Sequence, residues 1–137
     1  MSKIKSILLI DDDPGINDYH KIIINKTGIT DHIHICTDGQ DAMDYLTHQG
    51  EYLKFDIYPS PELIFLDINM PGMNGFEFLE AYQKLNESQK GNQVIIMLTT
   101  SLNEDDKTKA LSYPSVSSFL NKPLSKNILK ELIISYF

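Results

Sequence analysis

Asp11, Asp12 and Asp13 close one short apolar run, Asp67 closes a second, Thr99 closes a third, and Lys122-Pro123 follows a fourth. Two carboxylates about 4 Å apart repel by roughly 4 kcal/mol at an effective dielectric near 20, so a cluster of Asp11, Asp12 and Asp67 requires a cation. Magnesium suits so sparse a set, since it takes one or two carboxylates, several waters and a substrate phosphate. Asn69 offers a backbone carbonyl beside them. Asp67 then has the chemistry of a nucleophile toward phosphorus, as in aspartyl-phosphate formation. Lys122 brings a compact cation for one phosphoryl oxygen, and Thr99 a hydroxyl that can turn to hydrogen-bond another. Phosphoryl transfer asks mainly for such positioning and charge stabilisation. Singly these are weak signals, because a strand-end Asp often does no more than cap a helix. Their shared position at the ends of apolar runs is what makes the set specific.

The runs that must carry them read as buried strands: Ser6 to Ile10, Leu63 to Leu66, Val94 to Leu98 and Val116 to Leu120, with a further strand near His32 to Cys36. Between them lie helical patterns. Pro14 opens a helix to about Lys26 that Gly28 ends, with Ile16, Tyr19 and Ile23 as its expected apolar face. Asp38-Gly39 opens a second helix, carrying Ala42, Tyr45 and Leu46 and ending near Gly50. Phe78, Leu79, Tyr82 and Leu85 mark a third beyond the turn-rich loop Met70 to Gly75, and Glu104 to Leu111 a fourth, weakly amphipathic one. Leu129, Leu132, Ile133 and Tyr136 give the last helix. Five alternating βα units predict an α/β fold with a parallel sheet covered by helices on both faces, because every parallel crossover must pack back on the sheet. All the candidate residues then emerge at one carboxyl edge, where open α/β sheets bind ligands.

At 137 residues the chain has the length of one domain, 1–137, with no room for a second output domain. A net charge of -7 and the lack of a basic patch argue against nucleic acid and anionic membranes as partners. Cys36 is the only cysteine, which excludes an internal disulfide and suits a reducing cytoplasm. The apolar run behind the amino end stops at Ile10, too short for a signal sequence or a membrane span.

Ile7 to Pro14 (ILLIDDDP), Leu66 to Gly75 (LDINMPGMNG), Ile96 to Ser101 (IMLTTS) and Phe119 to Pro123 (FLNKP) together resemble the receiver domain of two-component response regulators, over essentially the whole chain. That resemblance implies a flavodoxin-like (βα)5 fold, a doubly wound five-stranded sheet in the order 2-1-3-4-5. It also implies Asp67 as phosphoacceptor, Asp11 and Asp12 as the acidic magnesium pair, Asn69 as carbonyl ligand, Thr99 and Lys122 as switch hydroxyl and phosphate-facing lysine, and Phe119 as switch aromatic. A cis Lys122-Pro123 bond comes with it, at the one bond type where cis is cheap. Asp13 reads as the cap of the Pro14 helix. Asn17 stands where arginine is frequent in the family, and Thr100 where a smaller residue is usual.

The segment Gln49 to Pro61 is longer than in common receivers, and its Tyr52, Phe55 and Tyr58 offer either a partner surface or aromatics that pack on the domain itself. With Thr99-Thr100-Ser101 and Asn103 to Asp106, it is similar to stand-alone receivers that serve bacterial phytochromes. The implied partners are a sensor histidine kinase, phytochrome-like in that subgroup, or a phosphotransfer protein, together with a downstream protein target and a second copy through the fourth and fifth βα units. Two other readings stand beside this one. A magnesium phosphohydrolase also uses a strand-end aspartate with a lysine, although Asp67-Ile68-Asn69 lacks its second carboxylate. A degenerate receiver would act only as an interaction module. His32 and His34 alternate on a strand without a third metal ligand, and His20 and His48 read as surface helix residues.

Overall fold

The computed structural model describes residues 4–53, 60–90 and 93–137. Five strands, β1 (Ile7–Ile10), β2 (Ile33–Cys36), β3 (Leu63–Leu66), β4 (Val94–Thr99) and β5 (Val116–Asn121), form one parallel sheet in the order β2-β1-β3-β4-β5. The helices are α1 (Pro14–Thr27), α2 (Gly39–Thr47), α3 (Gly75–Gln83), the short α4 (Glu87–Lys90), α5 (Glu104–Leu111) and α6 (Lys126–Tyr136). A single 3-10 turn, Gly50–Tyr52, follows α2; neither it nor α4 was legible in the apolar pattern. This is the flavodoxin-like (βα)5 architecture.

Successive strand residues point to opposite faces, and the central strands β1, β3 and β4 are apolar at every position but Thr99, so the sheet builds two cores. Leu8, Ile10, Ile64, Leu66, Ile95 and Met97 pack with Ala42, Tyr45 and Leu46 of α2 and Phe78 and Leu79 of α3. On the other face Ile7, Leu9, Leu63, Phe65, Ile96 and Leu98 meet Ile24 of α1 and Leu129, Leu132 and Ile133 of α6. Each aliphatic side chain taken fully from water contributes about 1.5–3 kcal/mol. Central strands buried between helices on both sides follow from that pattern, while the edge strands β2 and β5 stay partly exposed.

Helix ends are set locally. Asp13 caps α1, its Oδ1 accepting from the N–H groups of Gly15 (2.9 Å) and Ile16 (3.3 Å), while Gly28 at φ 66 turns the chain out of the helix. Asn74 and Glu77 form a reciprocal capping box on α3. Acidic Glu104, Asp105 and Asp106 occupy the first turn of α5, where the helix dipole favours negative charge.

Three expectations need correction. The fully buried residues of α1 are Asn17, His20 and Ile24; of the expected Ile16, Tyr19 and Ile23, Ile23 packs partly buried against the core and Ile16 is half-buried, whereas Tyr19 is 45% exposed. His20 is therefore a core residue at 2% exposure rather than a surface one. Its apolar residues Ile16, Tyr19, Ile22, Ile23 and Ile24 spread over about half of the helix circumference, so hydropathy alone did not single out the face carrying two polar anchors. Tyr136 likewise lies outside the buried stripe of α6, at 39% exposure, and its hydroxyl donates to the Ser117 carbonyl (3.1 Å). His48 sits just past α2 in the left-handed conformation at φ 55, and half-exposed His34 stacks on Tyr45. Tyr52 is buried at 4% against Tyr45 and His34, which favours internal packing for that residue; Phe55 and Tyr58 lie outside the described residues.

Candidate functional site

The register of the sheet brings the acidic residues together. Ile10 pairs with Leu66, so the residues that follow, Asp11 and Asp67, leave neighbouring strands at the same level. The ladder continues into them: Asp67 N–H donates to the Ile10 carbonyl (3.0 Å) and Asp11 N–H to the Cys36 carbonyl (3.1 Å). Asp11 and Asp67 are buried and Asp12 is exposed, and carboxylate oxygens of the three lie within 4.8 Å of one another. Lys122 follows directly on the end of β5, and the bond after it, Lys122-Pro123, is cis. Its ammonium pairs directly with Asp11 Oδ2 and stands 3.3 Å from Asp67 Oδ1.

Each carboxylate is oriented by backbone. Asp13 N–H donates to Asp11 Oδ1 (3.0 Å), and Ile68 N–H donates to Asp67 Oδ1 (2.9 Å). Behind Asp67 the chain is crossed at close range by Gly75, whose N–H donates to the Ile68 carbonyl (2.8 Å). A Cβ on Gly75 would stand 2.3 Å from the Asp67 carbonyl oxygen, so only glycine fits there.

Burial, then the charge of Asp11, pushes the Asp67 carboxyl above its ordinary value, against the opposing pull of Lys122 and the Ile68 N–H. For Lys122 burial alone would lower the ammonium, but its bond to Asp11 and the charge of Asp67 hold it above the usual lysine value. Three clustered carboxylates with one lysine leave negative charge in excess. That excess and the all-oxygen donor set fit a hard divalent cation.

Thr99 ends β4 fully buried. Its Oγ1 accepts from Ser101 N–H (3.1 Å), so in this structure the hydroxyl serves its own loop. Its carbonyl accepts from Lys122 N–H (2.8 Å), linking the two strand ends. Phe119, paired with Met97 in the register, is half-buried against the α2/α3 core and lines a groove with Ser101, Leu102, Asn103 and Lys107. Asn69 is exposed in the loop after Asp67. Asp11, Asp12, Asp67 and Lys122 are thus gathered into one cluster, with Thr99 and Phe119 one and two strands away.

Sequence reasoning missed three supporting side chains. Asn17 and His20 reach the site from one face of α1: Asn17 Nδ2 donates to the Asp11 carbonyl (2.8 Å), and His20 Nε2 accepts from Leu124 N–H (3.1 Å). Polar residues at i and i+3, aligned with Ile24 at i+7, were the available signal. Asn121, whose Nδ2 donates to the Ser101 carbonyl (2.9 Å), holds the loop after β4. Only the strand register reveals that contact.

The family model of the response regulator receiver domain matches residues 7–134. Response regulator Rcp1 of Synechocystis sp. is 39% identical over 74% of this chain and 66% of its own length. The solved Mn(2+)-bound form of Rcp1 superposes with a TM-score of 0.74 at 35% identity, over 93% of this chain and 88% of that one. A two-component response regulator from Cytophaga hutchinsonii gives a TM-score of 0.84 at 33% identity, covering 98% of this chain and 97% of that chain. The phosphorylated cyanobacterial phytochrome response regulator RcpA gives 0.77 at 26% identity, over 96% and 89%. The chain spans 54% of another curated relative, the transcriptional regulatory protein CitT of Halalkalibacterium halodurans, at 27% identity over 99% of this chain. Fold, carboxylate cluster and family match agree, and the chain belongs to the response regulator receiver domain family.

Proposed function

We propose that this chain is a single-domain response regulator, 1–137, that accepts a phosphoryl group on Asp67 in a magnesium-dependent reaction. The observation that carries the reading is the buried Asp67 carboxylate facing Asp11 across the ammonium of Lys122. Asp11, Asp12 and Asp67 would hold the magnesium ion, with the Asn69 carbonyl, and the bound ion supplies charge neutralisation at the phosphoryl oxygens.

The residues of the chain do the rest. Ile68 N–H fixes the Asp67 carboxylate, whose oxygen attacks phosphorus as the bond to the donor's imidazole nitrogen breaks and the imidazole leaves. Lys122, already at 3.3 Å from Asp67, follows the charge onto the phosphoryl group. Thr99 gives up the Ser101 N–H and turns its hydroxyl inward, drawing the loop after β4 with it. Phe119 lines the groove beside that loop, so the change biases the surface built by β4, α5 and β5 toward a second state.

The donor is a sensor histidine kinase or a phosphotransfer protein, and likeness to RcpA supports a phytochrome-like kinase. The signal passes to a separate protein target in the cytoplasm, with homodimerisation through the fourth and fifth βα units as an accompanying state. No helix among the described residues is long and apolar enough to cross a membrane. Intact-protein mass after incubation with magnesium and acetyl phosphate tests the reading. One added phosphoryl group in the wild type, absent from Asp67→Asn and from chelated samples, is expected; an unmodified wild-type chain with both acetyl phosphate and histidine kinases would refute it.

A further inference from the structure

Lys122 reaches the carboxylates only if the backbone that follows β5 is held at the right depth. That backbone turns through the cis Lys122-Pro123 bond and enters the core at Leu124, which is 1% exposed. A buried N–H at such a turn needs an acceptor, and leaving it unmet is costly. Leu124 N–H finds its acceptor 104 positions away in the sequence, at Nε2 of His20 (3.1 Å). His20 is itself 2% exposed, so the bond is sealed from water.

One turn earlier on the same helix, Asn17 Nδ2 donates to the Asp11 carbonyl (2.8 Å). The buried face of α1 thus grips two separate loops, one carrying Asp11 and the other following Lys122. These are the partners of the most direct ion pair in the site. Asn17, His20, Asp11 and Asp67 also line one small cavity beneath the carboxylates, with Leu9 and Phe65. Asn17 and His20 lie three residues apart in α1, so the helical repeat fixes the spacing of the two polar side chains and with it the spacing of the two loops.

We propose that His20 is a positioning residue for phosphoryl uptake, holding the Lys122 loop through the Leu124 N–H so that the ammonium faces Asp67. The inference rests on the phosphoacceptor reading of Asp67. It does not make His20 a catalytic residue, because the imidazole acts through Leu124 and Lys122. A neutral ring with its proton on Nδ1 meets the requirement, since Nε2 must accept. An amide oxygen at the same depth can do the same; an aliphatic side chain of similar bulk cannot.

The test compares wild type, His20→Leu and His20→Gln. Each is assayed for the rate of Asp67 phosphorylation by acetyl phosphate, the magnesium concentration at half-maximal rate, and hydrogen exchange at the Leu124 amide. In His20→Leu the rate at saturating magnesium should fall by about tenfold, because small misplacements of a positioned group are amplified in rate. Its half-saturating magnesium should stay within about twofold, since the acidic ligands are untouched. Leu124 should lose its exchange protection. Glutamine should restore the protection and bring the rate back to within about threefold of wild type. Equal rates in wild type and His20→Leu would overturn the inference, as would a His20→Gln as slow as His20→Leu or Leu124 protection that ignores the substitution. A wild-type chain that takes no phosphoryl group would instead overturn the proposed function, and the inference with it.

Discussion

Replacing Lys122 with methionine keeps the buried stem and removes the charge that two carboxylates share. At the 3.3 Å between Lys122 Nζ and Asp67 Oδ1, the pair attraction is roughly 5 kcal/mol at an effective dielectric of 20. Much of that is cancelled by the cost of taking three charged groups from water. What the variant cannot cancel is the repulsion left behind: Asp11 and Asp67 oxygens within 4.8 Å of one another repel by roughly 3.5 kcal/mol at the same dielectric. Proton uptake by Asp67 relieves part of this. Its folded value is already raised, so the folded state binds the extra proton and the deficit shrinks as pH falls through that value. The expected loss is about 3 kcal/mol at neutral pH, low salt and with chelator present, or on the order of 10 °C in Tm. Urea midpoints with chelator and with saturating magnesium provide the assay. Magnesium should raise the midpoint of Lys122→Met more than that of wild type, because the ion no longer competes with an ammonium for the same carboxylates. A metal-free variant within about 0.5 kcal/mol of wild type, or equal magnesium responses, would refute the reasoning.

Three further predictions follow from single contacts. Burial holds the His20 imidazole down at about 4, from an ordinary 6.5. The unfolded chain binds a proton that the folded chain refuses between those values. Stability is therefore fully present above pH 6.5 and is lost as pH falls toward 4, by up to roughly 3 kcal/mol; urea titrations at several pH values should show a flatter slope for His20→Leu than for wild type. Gly75→Ala places its Cβ 2.3 Å from the Asp67 carbonyl oxygen and 2.9 Å from Ile68 Cα, both backbone atoms that cannot yield alone. It should cost about 2–3 kcal/mol in urea unfolding and slow phosphoryl uptake. Thr99→Ala should still take up the phosphoryl group while the amide resonances of Phe119 and Asn121 cease to shift on phosphorylation, as read by heteronuclear NMR.

The legible part of this molecule was the part written in apolar runs. Buried parallel strands have no polar face, so Ile7–Ile10 and Leu63–Leu66 stood out as unbroken runs ending in aspartate. Once two such strands are parallel and in register, the meeting of Asp11 and Asp67 needs no further information. Asp13 was legible as a cap because proline follows it. Helix α1 was misread for a physical reason: its inward face is built on Asn17 and His20, whose burial is made possible by hydrogen bonds to Asp11 and Leu124. Hydropathy cannot foresee a partner so distant in sequence. Tyr136 was misread at the opposite extreme, since a terminal turn can leave a ring half in water while its hydroxyl finds Ser117. The Asn121 contact with the loop after β4 depends on the pairing of Thr99 with Asn121.

The central claim is that Asp67 carries the phosphoryl group. Borohydride reduction of the acetyl phosphate-treated, magnesium-containing protein tests it at the level of one residue, because an aspartyl phosphate is reduced to homoserine while a free carboxylate is not. Peptide mass mapping should find homoserine at position 67 alone, and none in a sample chelated before treatment. Homoserine at Asp11, Asp12 or Asp13 in its place, or a phosphoryl group retained on a serine or threonine, would contradict the account.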